Sequence, residues 1–217
     1  SSSCSNRVVN NTACDMENGF GITIINSSND NLIIGNNASN NMYGISLQYS
    51  SNNNLIANNT ASYNLGHGIS IETCSYNAIA NNTATNNIAG IYLYSSSHNK
   101  ALNNTVSENV YGVFLHSSSN GNLIANNVIT NNVDRGISLE VSCSNNVILN
   151  NNVTNNNNGL GICISSSNDN MILSNNVTGN IWGMILGSLT NCTIVDNTVS
   201  NNRDFGIYLG GSNNSLI

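Results

Sequence analysis

The sequence predicts an all-β fold, a parallel β-helix of about nine coils, and three observations carry that prediction. The string Gly-apolar-x-apolar recurs with glycines at 21, 44, 68, 90, 112, 136, 161, 183 and 206, at steps of 22 to 25 residues. The string apolar-apolar-x-Asn-Asn recurs with the same period. The composition is equally unusual: 52 residues are Asn and 44 are Ser or Thr, only 14 are charged, and none is Pro. Such polarity without charge would suit a disordered chain. The 39% hydrophobic content, however, arrives in short, evenly spaced clusters, which argues for a folded array.

Each repeat unit opens on a strand-length apolar cluster, as in "NLIIGNN", "NLIANN" and "NVILNN". Ile, Leu and Val over a few residues bounded by Asn and Gly read as a buried strand. The cluster ends in a motif that aligns the row Asn11, Asn36, Asn59, Asn82, Asn104, Asn127, Asn151, Asn175 and Asn197. Asn suits a corner because it tolerates left-handed geometry, and stacked amides both donate and accept along the axis. These residues are expected to form a structural ladder. Five residues on lies a second row, Asn41, Asn64, Asn87, Asn109, Asn132, Asn156, Asn180 and Asn202. The Gly-apolar-x-apolar strand follows, with its first and third apolar residues pointing inward. Pro would remove a ladder hydrogen bond at almost any of these positions.

Helical repeats are excluded because no segment sustains a helical period, and leucine-rich repeats need several leucines per unit. What remains is a coil of about three short strands stacked on its neighbours at about 4.8 Å. The net charge of −6 removes the electrostatic footprint of a nucleic-acid binder, and no apolar run reaches the length of a membrane span. The chain reads as one domain over 1–217. Neither end carries an atypical capping repeat, so a piece of a longer solenoid or a subunit that associates end to end is expected.

This pattern resembles the right-handed parallel β-helix repeat proteins of the pectate-lyase-like superfamily, most closely the NosD/CASH type found in archaeal and bacterial surface and periplasmic proteins. The resemblance covers essentially the whole chain. It implies a right-handed solenoid and an extracellular or cell-surface location. It does not by itself imply a reaction, because the superfamily includes lyases, glycosidases, adhesins and non-catalytic surface proteins.

The segment 64–72, "NLGHGISIE", is similar to the catalytic Gly-His-Gly strand of polygalacturonases. The companion strings of that family, Asn-Thr-Asp, Asp-Asp and Arg-Ile-Lys, are absent. The residue before the repeat glycine is elsewhere Phe20, Tyr43, Ala89, Tyr111, Arg135, Leu160, Trp182 or Phe205, so His67 reads as the occupant of a tolerant slot. Glu72 and Glu140 share an outward column but sit three coils apart, roughly 14 Å. Glycosidase carboxylates sit at about 5–5.5 or 6.5–9.5 Å, so these two do not make such a pair. Catalysis therefore has only weak candidates. His116 and Glu140 fall on adjacent coils as a prospective hydrogen-bonded acid-base pair, with Arg135 and Asp134 beside them. No metal and no cofactor is expected, since His67 and His116 occupy different columns.

Tyr92, Tyr94 and Phe114 are the candidate carbohydrate-binding residues, on the argument that exposed rings in a row stack on sugar faces. The alternative is ordinary strand preference for aromatic side chains. Sequons at Asn58, Asn81 and Asn103 are candidate glycosylation sites, although about ten sequons arise by chance at this Asn content. The six cysteines do not fall in register for disulfides and are expected to be mostly free, individually placed thiols. The first functional expectation is a non-catalytic extracellular structural β-solenoid, stacking end to end into a filament or surface layer. Its alternatives are a polysaccharide-binding or adhesive module, then a lyase or glycosidase fragment. The evenness of the coils, without long cleft-building insertions, argues against an enzyme.

Overall fold

The computed structural model describes residues 2–156 and 159–217, and it is an all-β, right-handed parallel β-helix of about nine coils. Among the described residues, three parallel sheets run along its length. The first holds nine strands, from Arg7–Val9 and Leu32–Ile34 to Thr193–Val195. The second holds six, from Thr83–Thr85 to Thr198–Ser200, and single bridges such as Asn37 to Thr60 extend it into earlier coils. The third holds nine longer strands, from Phe20–Ile24 to Phe205–Gly210. Each of these is the Gly-apolar-x-apolar string. The strands align without slip, so Ile45 pairs with Ile69 and Leu47 with Ile71.

Alternation along each strand sends one set of side chains into a single continuous core. Ile33, Ile56 and Ile79 from the first sheet and Ile69, Ile71 and Ile91 from the third are all 0% exposed. Burying one such side chain contributes about 1.5–3 kcal/mol, so each coil supplies several increments of this size.

The corners are made by Asn in two different roles. The residue before each Asn of the first row takes left-handed geometry; it is most often Asn, with φ of 55° at Asn58, 57° at Asn81 and 55° at Asn103. An Asn or Gly accepts this conformation at little cost, whereas most side chains do not. Its side chain is exposed, which places the sequons of Asn58, Asn81 and Asn103 on the solvent side of one corner. The second Asn turns inward and is sealed. The Asn59 Oδ1 accepts from the Asn36 backbone N–H at 2.8 Å and from its Nδ2 at 3.0 Å. The Asn59 Nδ2 donates to the Ile33 carbonyl at 2.9 Å and to Asn82 Oδ1 at 3.0 Å. Each amide thus satisfies its own polar atoms and those of a buried corner, which would otherwise cost about 1–3 kcal/mol apiece.

Where the sequence pattern shows two such ladders, the described residues form three. The further one runs through Asn31, Asn54, Asn77, Asn99, Asn122, Asn146 and Asn170, each bonded to the next. A shorter row of hydroxyls lies beside it. Ser51 N–H donates to Cys74 Sγ at 3.2 Å and Cys74 N–H donates to Ser96 Oγ at 3.1 Å. Cys74 and Cys143 therefore replace Ser in a ladder, and Cys192 replaces Asn at the end of another, where it accepts from Asn170 N–H at 3.4 Å. All six cysteines are free thiols.

The recurring glycine follows from the second Asn row. A Cβ on Gly68 would lie 2.8 Å from the Ala61 carbonyl and 2.9 Å from Asn87 Nδ2. The inward amide of one coil occupies the space a side chain would need on the coil before, so the two rows travel together in the sequence.

Candidate functional site

On the outward side of the third sheet each coil presents three side chains: one before the glycine, one two residues after it, and one four residues after it. The register stacks them in columns, with Tyr111 opposite Ala89 and Arg135, Phe114 opposite Tyr92 and Ser138, and His116 opposite Tyr94 and Glu140. Unlike the inward columns, these change residue type from coil to coil.

From Phe20 to His116 the outward side chains form a continuous belt of rings. Phe20 stacks on Tyr43 with centroids 5.1 Å apart, Tyr43 meets His67 at 5.6 Å, and His67 meets Tyr92 at 4.3 Å. Tyr92 continues to Phe114 at 5.5 Å, Phe114 to Tyr111 at 4.9 Å, and Tyr94 to His116 at 5.9 Å. The belt changes column at the fourth coil because Ala89 is too small to fill its slot. Tyr92 leans into that space and reaches His67, leaving Ala89 fully covered.

His67 is thereby half-enclosed by rings. Its Nδ1 is sealed from solvent without a hydrogen-bond partner, and burial pushes the imidazole down to about 4, so it is neutral at neutral pH. The Tyr92 phenol is pushed up to about 12, first by burial and then by the Glu72 carboxylate. Glu72 accepts a hydrogen bond from Ser70 Oγ at 2.8 Å.

The sixth coil is charged instead. Arg135 pairs with the Glu140 carboxylate, donates from Nη1 to Ser138 Oγ at 3.1 Å, and directs Nε toward Asp134 Oδ2 at 3.7 Å. Ser138 Oγ in turn donates to Glu140 Oε1 at 3.0 Å, and the guanidinium lies 5.7 Å from the Tyr111 ring centre. Arg135 therefore both closes the belt and is held by two carboxylates.

The structure corrects one expectation here. His116 and Glu140 are register neighbours, but they do not form a hydrogen-bonded pair. His116 Nδ1 is engaged with Ser117 Oγ at 2.7 Å, and Glu140 is engaged with Arg135 and Ser138. An intracoil partner one to five residues away reaches each group before the neighbour on the next coil does. Lys100 begins the strand Lys100–Leu102 of the first sheet. Tyr92, Tyr94 and Phe114 all fall within the belt. His67, which the sequence offers only as the occupant of a tolerant slot, lies between Tyr43 and Tyr92 in the same belt.

A second group of rings, Trp182, Phe205 and Tyr208, lies at the far end of the same face with centroids 4.9 to 6.2 Å apart. Leu160, Cys163 and Ser165 separate it from the charged coil. A surface depression lined by Glu17, Asn18, Asn40, Asn41, Tyr63 and Leu65 sits at another corner and gathers only one titratable carboxylate.

A family model described as "Periplasmic copper-binding protein (NosD)" matches residues 1–135, and one described as "Right handed beta helix region" matches residues 111–217. A search of curated proteins finds no match. Among solved structures, the chain is similar to the periplasmic alginate epimerase AlgG, with 20% identity and a TM-score of 0.70 over 86% of this chain and 50% of that one. The catalytic domain of an α-1,3-glucanase in complex with tetrasaccharides matches at 15% identity and a TM-score of 0.72, over 95% of this chain and 46% of that one. The Dettilon tailspike protein matches at 20% and 0.74, over 87% and 43%. The chain spans about half the length of these structures or less, and at such identities the likeness is one of fold.

Among the described residues, His, Cys, Asp and Glu offer no clustered donor set for the copper in the family description. Copper sites gather thiolate, thioether and imidazole ligands. Among the described residues no group of three or more His, Cys, Asp or Glu is close enough to hold a metal ion. Cys74 and Cys143 are spent three coils apart in one ladder and Cys192 in another, His98 stacks on Tyr76, and His67 Nδ1 faces rings. Among the described residues, no helix is long and apolar enough to cross a membrane.

Proposed function

We propose, from the premise that this chain belongs to the NosD family, that it is a non-catalytic β-solenoid which holds a polysaccharide along the outward face of its third sheet. The observation that carries this reading is the unbroken belt from Phe20 through His67 and Tyr92 to His116, laid on a rigid, in-register scaffold. Rings held in place lose little freedom on binding, so apolar sugar faces gain contact at low entropic cost. Support also comes from the fold neighbours, which include an epimerase of alginate and a glucanase bound to tetrasaccharides. The non-catalytic part rests on the commitments of the acid and base candidates. Glu140 is held by Arg135, His116 by Ser117, and Glu72 stands three coils from Glu140. A location in the periplasm or at the cell surface accords with the family description.

The test is retention on a panel of immobilised polysaccharides. Binding to at least one, lost in the Tyr92→Ala, Phe114→Ala double variant with its fold intact, is the expected result. Failure to bind any, or binding indifferent to both substitutions, overturns the reading.

A second reading, end-to-end self-association, rests on the last coil. Ile207 and Leu209 are 42% and 41% exposed, whereas the equivalent Ile45 and Leu47 are 0% exposed. A second copy of this chain, or further coils of a longer one, would cover them. Sedimentation of the 217-residue chain distinguishes the outcomes: growth with concentration supports self-stacking, and a monomer throughout removes it.

A further inference from the structure

We infer that the ligand of the belt is a neutral polysaccharide, a polymer of uncharged sugars, rather than a polyuronate or a sulfated chain. The inference rests on the polysaccharide reading above and specifies its substrate class.

Recognition of an anionic polymer needs cations free to meet carboxylates or sulfates, and bidentate Arg contacts are the usual means. This chain has four Lys and Arg side chains in all, and each can be placed. Arg7 and Lys100 lie on strands of the first sheet, a different face of the solenoid. Arg203 is engaged with Asp204 through Nε at 3.0 Å and Nη2 at 3.2 Å. Arg135 alone borders the belt, and its guanidinium is already shared by Glu140, Ser138 and Asp134. An incoming uronate would have to displace Glu140 from that pair and would leave a partly buried carboxylate without its partner. His67, at the centre of the belt, is held neutral by the rings around it and supplies no positive charge.

With Arg135 counted against Asp134 and Glu140, the balance of charge along the belt is negative. Glu72 adjoins the middle of the belt and Asp134 with Glu140 its far end, on a chain of net charge −6. To an anionic polymer these are repulsive at close range. To a neutral sugar they are hydrogen-bond acceptors for hydroxyl groups, as are the Gln48 and Tyr94 side chains in the same outward column. Rings for the apolar faces of a pyranose and carboxylates for its hydroxyls form a surface matched to an uncharged sugar. The belt crosses six coils from Phe20 to Arg135, about 24 Å at the usual strand spacing. That length suits a polymer rather than a monosaccharide.

The experiment compares soluble neutral glucans, mannans and xylans with alginate and polygalacturonate, measured by calorimetry or affinity electrophoresis at low and high salt. The expected result is binding to at least one neutral polymer, unchanged within about twofold by salt because no ion pair forms, and weakened about tenfold by Tyr92→Ala. Binding to either polyuronate in preference to every neutral polymer overturns this inference while leaving the polysaccharide reading standing. Binding to none of the polymers overturns the polysaccharide reading itself. As a second readout, Glu140→Gln releases the Arg135 guanidinium, and the inference predicts that polyuronate affinity rises in this variant. An equal polyuronate affinity in the parent and the variant contradicts the inference, because Arg135 is then no longer the guarded cation that it requires.

Discussion

The inward and outward sides of the third sheet are built on the same backbone, yet they obey opposite rules. Inward, position after position repeats: Ile45, Ile69, Ile91, Val113 and Ile137 fill one column, and Asn64, Asn87, Asn109 and Asn132 brace it from the neighbouring corner. Outward, the column before the glycine runs Phe, Tyr, His, Ala, Tyr, Arg, Leu, Trp and Phe. A stacked coil demands that every inward residue fit both its neighbours, so variation there is costly. Nothing of the kind restrains the outward side, and information specific to this chain can be carried only there. The recurring features therefore explain the fold, and the departures from recurrence locate the candidate site.

The comparison is broken most severely at a ladder. Asn82→Ala removes an acceptor used by Asn59 N–H and Nδ2 at 2.9 and 3.0 Å, and takes a donor from the Ile56 carbonyl. Several buried groups lose partners at once, and about 3–6 kcal/mol of stability is expected to go, read from the urea midpoint. Asn81→Gly, one residue away at φ 57°, is expected to cost less than about 0.5 kcal/mol because Gly accepts the same geometry. Equal effects at the two positions would end the distinction between corner and ladder Asn. Next in size is Gly68→Ala, whose Cβ meets backbone oxygens at 2.8 Å. A loss of about 1–3 kcal/mol is expected in the same measurement.

The outward side has its own signature in pH. The unfolded imidazole titrates near 6.5 and folded His67 near 4, so the unfolded chain takes up the extra proton between these values. Stability then falls as pH drops through that window, by on the order of 2–3 kcal/mol in total. His67→Gln should flatten this dependence, and an unchanged pH profile would show that His67 is not enclosed by the belt. Tyr92→Ala is expected to lower stability by only about 1–2 kcal/mol, since the ring is half-buried against His67 and Phe114.

The smallest effect is expected of Cys74→Ser. Ser51 and Ser96 occupy the same ladder on either side, so the change should cost less than about 1 kcal/mol. Burial pushes the Cys74 and Cys143 thiols up to about 11, and a thiol reagent at neutral pH should label exposed Cys4 well before either of them.

Most of the fold was legible in the sequence because each feature is stated about nine times, and the strand, corner and glycine signals reinforce one another. The ladder from Asn31 to Asn170 escaped the pattern reading although it stands in plain sight before each apolar cluster, as in "NLII" and "NVIL". An Asn beside other Asn residues gives no sign of which way it faces. The columns of the candidate site were legible too, since register fixes them. The belt was not, because its crossing from Tyr43 and His67 to Tyr92 depends on Ala89 leaving room and on side-chain direction. The His116 and Glu140 expectation failed for the same reason: register brings two residues side by side, but local partners such as Ser117 and Arg135 decide where their polar atoms point.

The central claim is that a neutral glycan lies on the rings between Phe20 and His116. Its most direct test is to follow the aromatic and imidazole NMR signals of the folded chain while a neutral oligosaccharide is added. The account predicts saturable shifts concentrated at Tyr43, His67, Tyr92, Tyr94 and Phe114, with Tyr76 and His98, in the turns between the third and first sheets, unmoved. Shifts centred on the Trp182, Phe205 and Tyr208 group, or none at saturating glycan, would contradict it.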